Sequence, residues 1–375
     1  MGDILHALPA VTALRRAHPA WRIDWAIEPR WLPLLTAGPE NAESGQGAAR
    51  PVVDGIHRVP AKAWGKRPFE RETWAEIGAL RAALQTVHYD AVLDLQGAIR
   101  SGVVAWISGS RRILGSDHPW ETPAKWLYSE HVATTGQHVI EQNYELATAV
   151  AGDLLKVARP LLPVDFDAED WCDQLPELKE VEGQGRPVLL LHPGAGWGAK
   201  RWPADRFGAV AAEFAGRGGV VLVNSAPGEE ALAVAVVEAA GGDFVHPVSC
   251  SLPQLIALTR RVSVVIGGDT GPVHLACALG KPVVGIYGPT DPRRNGPYGT
   301  RFRVLRNPES RTDHARLQEP EAGLLTILPD AVLAAMIELL LEEREAQRTA
   351  ATGREIESPA AKIGAGDSAW DMRGS

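Results

Sequence analysis

The segment Gly267-Gly268-Asp269-Thr270-Gly271-Pro272-Val273-His274 carries the densest chemical signal in the chain. It follows the apolar run Val264-Val265-Ile266 and leads into a helical pattern, so its small residues sit where backbone can approach a ligand closely. Thr270 can cap that helix, Pro272 suits its first turn, and the free N–H groups there attract anions. A phosphate site is the simplest reading; an ordinary glycine-rich turn with Asp269 as a second cap is the alternative. A second loop, residues 192–203, contains Gly194, Ala195, Gly196 and Gly198, which permit a wrap, and then Lys200 and Arg201, which offer positive charge to a diphosphate. No Gly-Lys-Ser/Thr follows, so the Walker arrangement for nucleoside triphosphate hydrolysis is absent. In a third loop, 287–294, Thr290 and Asp291 can reach a sugar hydroxyl or cap backbone groups. In a fourth, 224–230, a carboxylate near a helix start can accept from ribose hydroxyls or serve the helix dipole. Together the four loops describe a nucleotide-diphosphate pocket in the second half of the chain.

The first half offers different groups. Gly2-Asp3 opens just before a helix, so Asp3 is a candidate general base facing a cleft, or a helix cap. Lys62, Lys66, Arg67 and Arg71 form a basic stretch around Trp64, readable as a clamp for an anionic acceptor or as a solvated loop. Asp94-Leu95-Gln96-Gly97 with Arg100, and His138 with Glu141, add polar groups at strand or helix ends. Asp165-Phe166-Asp167 spells an Asp-x-Asp pattern, but it does not close a strand and reads as linker. No other metal-binding spacing and no Gly-x-Ser-x-Gly elbow is present, so neither metal nor cofactor is expected.

Loops of this kind need an α/β frame. A helix over about 3–18 is followed by the apolar run 23–27; Val52–Val59, a helix over 70–87 and the run 91–95 repeat the step, so parallel pairing follows. After a polar stretch, Val188–Leu191, a helix over 204–216, Val220–Val223, helices over 228–240 and 252–259, the strand 262–266, a helix over 272–279 and the strand 283–286 make a doubly wound unit. The expected organisation is a first α/β domain over 1–160, a linker over 161–185 and a second α/β domain over 186–328. A C-terminal helix over 329–346 and a disordered tail over 347–375 complete it.

Composition narrows the class. A chain of 375 residues exceeds what one ordinary core organises. Its 38 Lys+Arg against 46 Asp+Glu leave a net charge of −8, the wrong sign for a dedicated nucleic-acid binder. The 3 cysteines are dispersed, which signals neither zinc nor a disulfide framework and fits a reducing cytoplasm. No run of eighteen apolar residues and no signal peptide are visible.

Five segments in this order resemble the ADP-heptose lipopolysaccharide heptosyltransferases, most closely the heptosyltransferase I branch. They are Met1–Pro9, Asp94–Gly97, Lys200–Pro203, Asp269–His274 and Tyr287–Pro292. The resemblance spans about residues 1–345. It implies a GT-B glycosyltransferase fold, two Rossmann-like doubly wound domains facing a cleft, and an inverting transfer from ADP-L-glycero-D-manno-heptose to a Kdo sugar of the inner core. Asp3 would then deprotonate the acceptor hydroxyl and Lys200 would neutralise charge on the departing ADP. Ala195, Gly196, Asp269, Thr270, Gly271 and His274 would hold the donor's phosphates and sugar, and Glu230 the ribose. Kdo-lipid A would meet Lys62, Lys66, Arg67, Gln96 and Arg100. A monomer at the cytoplasmic face of the inner membrane, with no nucleic-acid partner, is the corresponding expectation.

Two departures from the family pattern stand out. Relatives carry a strand before the Gly-Asp segment, whereas this chain opens at Met1-Gly2, so the first strand of the first sheet is expected to be missing and its neighbours unpaired. Ala195-Gly196 stands where the type I branch often has hydroxyl residues. The alternatives are a GT-B-like nucleotide-sugar epimerase and, with the first strand absent, a nucleotide-sugar binding protein without turnover.

Overall fold

A computed structural model of the protein describes residues 1–38, 47–181, 183–313 and 317–351. The chain begins with α1 (Gly2–Ala17), whose residues from Leu5 to Arg15 are all buried, so it is a central helix rather than a surface one. There follow β1 (Asp24–Ile27), β2 (Gly55–Arg58), α2 (Ala61–Lys66), α3 (Arg71–Val87), β3 (Val92–Leu93), α4 (Ile99–Ile107), β4 (Ile113–Ser116), β5 (Glu130–Val132) and α5 (Val139–Ala151). β1 pairs with β2 in parallel, Asp24 opposite Gly55 and Ile27 opposite Arg58. β3, β4 and β5 form a separate parallel sheet in that order. Between the two lies a cavity of about 930 Å³, flanked by Ile23–Ile27 on one bank and Val92–Asp94 on the other, with Ala7, Val11 and Leu14 of α1 among its lining. Among the described residues no strand bridges the two banks, which is the interruption expected of the first sheet.

Two short helices, α6 (Phe166–Gln174) and α7 (Pro176–Val181), occupy the segment expected to be a plain linker. Asp165 caps α6 by accepting from the Ala168 N–H at 3.0 Å, so the first carboxylate of the Asp-x-Asp spelling serves a helix start.

The second half comprises β6 (Val188–His192), α8 (Ala204–Gly216), β7 (Val220–Ser225), α9 (Glu230–Ala240), β8 (Val245–Ser249), α10 (Leu252–Arg261), β9 (Val264–Gly268), α11 (Gly271–Ala278), β10 (Val283–Tyr287), α12 (Pro292–Asn295), β11 (Phe302–Arg306) and α13 (Pro329–Ala351). Its six strands are parallel in the order β11-β10-β9-β6-β7-β8. The chain passes outward from β6 through β7 to β8, then returns to place β9 on β6's other side. The loops after β6 and β9 therefore flank the crevice where strand order reverses, the place where open α/β sheets bind ligands.

Each strand alternates its side chains between two apolar layers. Leu189, Leu191, Val264 and Ile266 face α8 and α13, meeting Phe207, Phe214, Met336 and Leu339. Leu190, Leu222 and Val265 face the opposite way, toward Leu255 and Ile256 of α10 and Leu275 of α11. Leu5, Leu8 and Val11 of α1 belong to that second layer, so the first helix of the chain is built into the core of the second half. α6 is held there too: Glu169 pairs with Arg260 at 2.8 Å and with Arg261. The helix expected to stop at residue 346 runs on to Ala351; the remainder of the expected tail, 352–375, lies outside the described residues.

Candidate active site

The loops after β6 and β9 meet at Lys200 and Asp269. Lys200 Nζ donates to Asp269 Oδ2 at 2.5 Å and to the Asp269 carbonyl at 3.3 Å, and it stands 4.1 Å from the Trp197 ring centroid. The lysine loop is itself clamped: the Ala199 N–H donates to the Leu317 carbonyl and the Glu321 N–H to the Ala199 carbonyl. A Cβ on Gly198 would sit 1.5 Å from the Gln318 carbonyl oxygen, so only glycine permits that crossing.

Asp269 Oδ1 accepts from His274 Nε2 at 3.1 Å. Burial alone would raise the Asp269 carboxyl, but the hydrogen bond and charge of His274 and the charge of Lys200 outweigh it and hold the group well below the usual carboxylate range. Asp269 is thus a fixed anion that orients one lysine and one histidine. Thr270 occupies the N-cap of α11 without capping through its side chain, its Oγ1 donating instead to the Gly268 carbonyl at 3.3 Å. First-turn N–H groups of α11 therefore remain available to an anionic ligand.

α1 reaches the same place from the first half. A Cβ on Gly2 would lie 3.6 Å from His274 Cδ2, and Met1 packs against Gly271. The N-cap position of α1 is Met1 and no side chain caps it, so Asp3 lies within the first turn, exposed at the cavity's rim. One turn on, His6 Nε2 lies 3.2 Å from His274 Nδ1, and both rings are buried.

Of the remaining donor-site candidates, Ala195 is buried and Gly196 exposed in the loop before Lys200. Glu230 does not join the cluster: it is the first residue of α9 and turns outward, accepting from the Gly228 N–H at 2.9 Å. That bond holds its carboxyl below the ordinary value. The neighbouring Glu229 turns inward, pairing with Arg201 at 3.0 Å and packing over Gly194. The resemblance points to Glu230, the second of two carboxylates in tandem near the helix start. Thr290 is buried, and Asp291 caps α12 through the Arg293 N–H at 3.0 Å.

Of the acceptor-site candidates, Lys62, Gln96 and Arg100 line the cavity with Asp3, and so does Arg30, which sequence reasoning passed over. Arg30 stacks over the Trp31 ring at 4.4 Å. Lys66 and Arg67 are not part of that lining, and Arg67 pairs with Glu70 at 3.3 Å and Glu72 at 3.5 Å. Asp94 is a structural carboxylate. It accepts from the Gln96 and Gly97 N–H groups, from Ser101 Oγ at 2.9 Å and from Tyr128 Oη at 2.7 Å, and so aims Gln96 at the cavity. His138 and Glu141 form a capping box on α5.

The sequence profile of glycosyltransferase family 9 (heptosyltransferase) matches residues 77–324. Lipopolysaccharide heptosyltransferase 1 of Escherichia coli (strain K12) is 31% identical over 317 residues, 82% of this chain and 91% of that protein. The heptosyltransferase 1 of Pseudomonas aeruginosa is 28% identical over 309 residues, 80% of this chain and 79% of that one. Among solved structures, E. coli heptosyltransferase WaaC with ADP matches with a TM-score of 0.70 at 25% identity, covering 90% of this chain and 97% of that one. The same enzyme with ADP-2-deoxy-2-fluoro heptose matches with a TM-score of 0.68 at 26% identity, covering 90% and 96%. The two-unit α/β architecture is thus the GT-B fold. A profile that spans well over half the residues, and a relative above 30% identity along most of the length, make this chain a member of glycosyltransferase family 9, the heptosyltransferases.

Proposed function

We propose that this heptosyltransferase moves a heptose from ADP-L-glycero-D-manno-heptose to a Kdo sugar of the lipopolysaccharide inner core, with inversion at the anomeric carbon. The observation that carries the proposal is the packing of α1, whose first turn bears Asp3, against α11, whose His274 belongs to the Lys200–Asp269–His274 cluster. That packing supports a reading in which a carboxylate acting as base stands on a helix docked beside an N–H-rich, lysine-bearing site of the kind that stabilises a departing diphosphate. E. coli WaaC, whose structures carry ADP and a fluorinated ADP-heptose, supports the choice of donor.

In the reaction so derived, the acceptor hydroxyl oxygen attacks the anomeric carbon from the face opposite the diphosphate. Asp3 takes the hydroxyl proton, the bond from the anomeric carbon to the diphosphate oxygen breaks, and its electron pair leaves with ADP. Lys200 and the first-turn N–H groups of α11 meet the negative charge that grows on that oxygen. Asp269 keeps Lys200 and His274 in place, with Ala195, Gly196, Thr270 and Gly271 shaping the backbone around the phosphates. Glu229 is favoured over Glu230 for the ribose because it turns toward the lysine loop. Lys62, Gln96, Arg100 and Arg30 face the acceptor, and its carboxylate and phosphates suit three cations.

We further propose that the enzyme acts as a monomer, peripheral to the cytoplasmic face of the inner membrane; no helix among the described residues is long and apolar enough to cross a membrane. The test supplies ADP-heptose and Kdo-lipid A and measures ADP release together with acceptor glycosylation. Coupled formation of both products is the expected result. Donor binding without release, or isomerised donor, would overturn the proposal.

A further inference from the structure

α1 buries three polar side chains, His6, Thr12 and Arg15. His6 lies in the turn between Leu5 and Leu8, and a buried imidazole is costly unless its nitrogens find partners. His6 Nε2 lies 3.2 Å from His274 Nδ1. His274 in turn spends its other nitrogen on Asp269, whose second oxygen holds Lys200. Both nitrogens of His274 are therefore engaged, one from the first half of the protein and one from the second, and turning the ring over would lose both bonds at once.

We propose that His6 is a positioning residue of the transfer reaction: by holding the His274 ring in one orientation, it fastens the phosphate-binding loop to α1 and so sets the separation between Asp3 and the bond that breaks. The inference rests on the proposal above that the 269–274 loop holds the donor and that Asp3 is the base. His6 and Asp3 are three residues apart on one helix, on neighbouring faces and separated by about 4.5 Å along its axis. A tilt of that helix relative to α11 carries both.

His6 is braced from behind. Asn143 of α5 donates to the His6 carbonyl at 3.0 Å, and the His138 ring meets the His6 ring edge-on at 5.8 Å. His138 accepts from the Ile140 N–H through Nδ1, so its Nε2 carries the proton and donates to the Gly296 carbonyl at 3.1 Å. The His6 ring thus stands between a helix of the first half that is itself tied across to the second, and the histidine of α11. A nitrogen-to-nitrogen contact of this kind holds only when one proton lies between the two rings: two bare nitrogens repel, and two protonated ones collide.

The test compares His6→Phe, which keeps the volume and removes the nitrogen, with His6→Gln, whose amide reaches the Nε2 position. Single-turnover transfer should fall about 10- to 100-fold in His6→Phe, the scale of a small misplacement of reacting groups, and return to within about threefold in His6→Gln. His274→Ala should lose as much, and adding His6→Phe to it should cost nothing more, because the two act as one unit. His6→Phe turning over like the unsubstituted enzyme beside an impaired His274→Ala, or additive losses in the double variant, overturns the role given to His6. His274→Ala binding ADP and turning over normally removes the donor loop from the reaction, and His6 with it. The nitrogen-15 spectrum of the unsubstituted full chain is a measurement that no folding defect can obscure. One of the pair His6 Nε2 and His274 Nδ1 should carry a proton and the other none; any other pattern overturns the contact.

Discussion

Lys200→Ala isolates the charge that the proposed mechanism sets against the departing diphosphate. In the structure Nζ is desolvated on two sides, by Asp269 at 2.5 Å and by the Trp197 ring at 4.1 Å, and its side chain is only 11% exposed. At an effective dielectric constant of about 20, a unit charge 4 Å from a phosphate oxygen contributes about 4 kcal/mol. Part of that already acts on the bound donor and part is offset by Asp269. The share specific to the transition state therefore falls near the lower end of the cost of removing one oxyanion donor, about 2.7 kcal/mol or a hundredfold in rate. Single-turnover transfer, with enzyme in excess over ADP-heptose and both products quantified, measures this directly, and calorimetry measures the accompanying loss of ADP affinity. Stability supplies an independent check. The Asp269 carboxyl lies below its ordinary range when folded, so it contributes stability above the unfolded value of about 3.9, and that contribution is lost as pH falls through the folded value. Removing Lys200 shrinks it, so Lys200→Ala should melt below the parent at neutral pH, with the gap narrowing in acid. Transfer within threefold of the parent together with unchanged ADP affinity would refute the electrostatic assignment.

Asp3→Asn should lower transfer about 10²- to 10⁴-fold, the usual worth of a general base, while ADP binds with its original affinity; calorimetry beside single-turnover kinetics decides, and normal turnover removes Asp3 from the mechanism. Glu229→Gln should weaken ADP binding about tenfold, the scale of one hydrogen bond to a charged group, whereas Glu230→Gln should leave it within twofold; the reverse order would return the ribose to Glu230. His138 is lowered to about 4 and His192 to about 3, both chiefly by burial, from an ordinary value of 6.5. Between pH 6.5 and 4 the unfolded chain takes up protons that these folded sites refuse, so stability must fall as pH falls. Thermal melts across that window should show a declining Tm, and a flat profile would contradict the burial of these rings.

The second half was readable because its strands are short apolar runs buried on both faces, as in Val188–Leu191, ending in glycine-rich loops at regular spacing. β8, with Pro247 and His246 inside it, and β11, with arginines at both Arg303 and Arg306, escaped that pattern because each is an edge of the sheet and only partly buried. α6 and α7 escaped for a similar reason: few of their residues are buried, so an acidic segment with little periodicity passed for linker. Lys200, Asp269 and His274 were legible as a group because glycines and prolines marked their loops. Glu229 was not separable from Glu230, since the difference is one residue of helix onset. His6 was invisible as chemistry because a single histidine among leucines looks like core, and only the approach of α11 gives it a partner. Arg30 carried no signal at all: it lies in no motif, and only the cavity groups it with Lys62.

A continuous sheet passes load sideways through its ladder of backbone bonds; in the first half that ladder stops at the cavity. Lys62 follows β2 on one bank, while Gln96 and Arg100 follow β3 on the other, and α1, running between them, is seated in the core of the second half. No backbone ladder among the described strands therefore couples the two banks, and what ties them is packing against a common spine. That spine, which carries Asp3, is itself registered on α11.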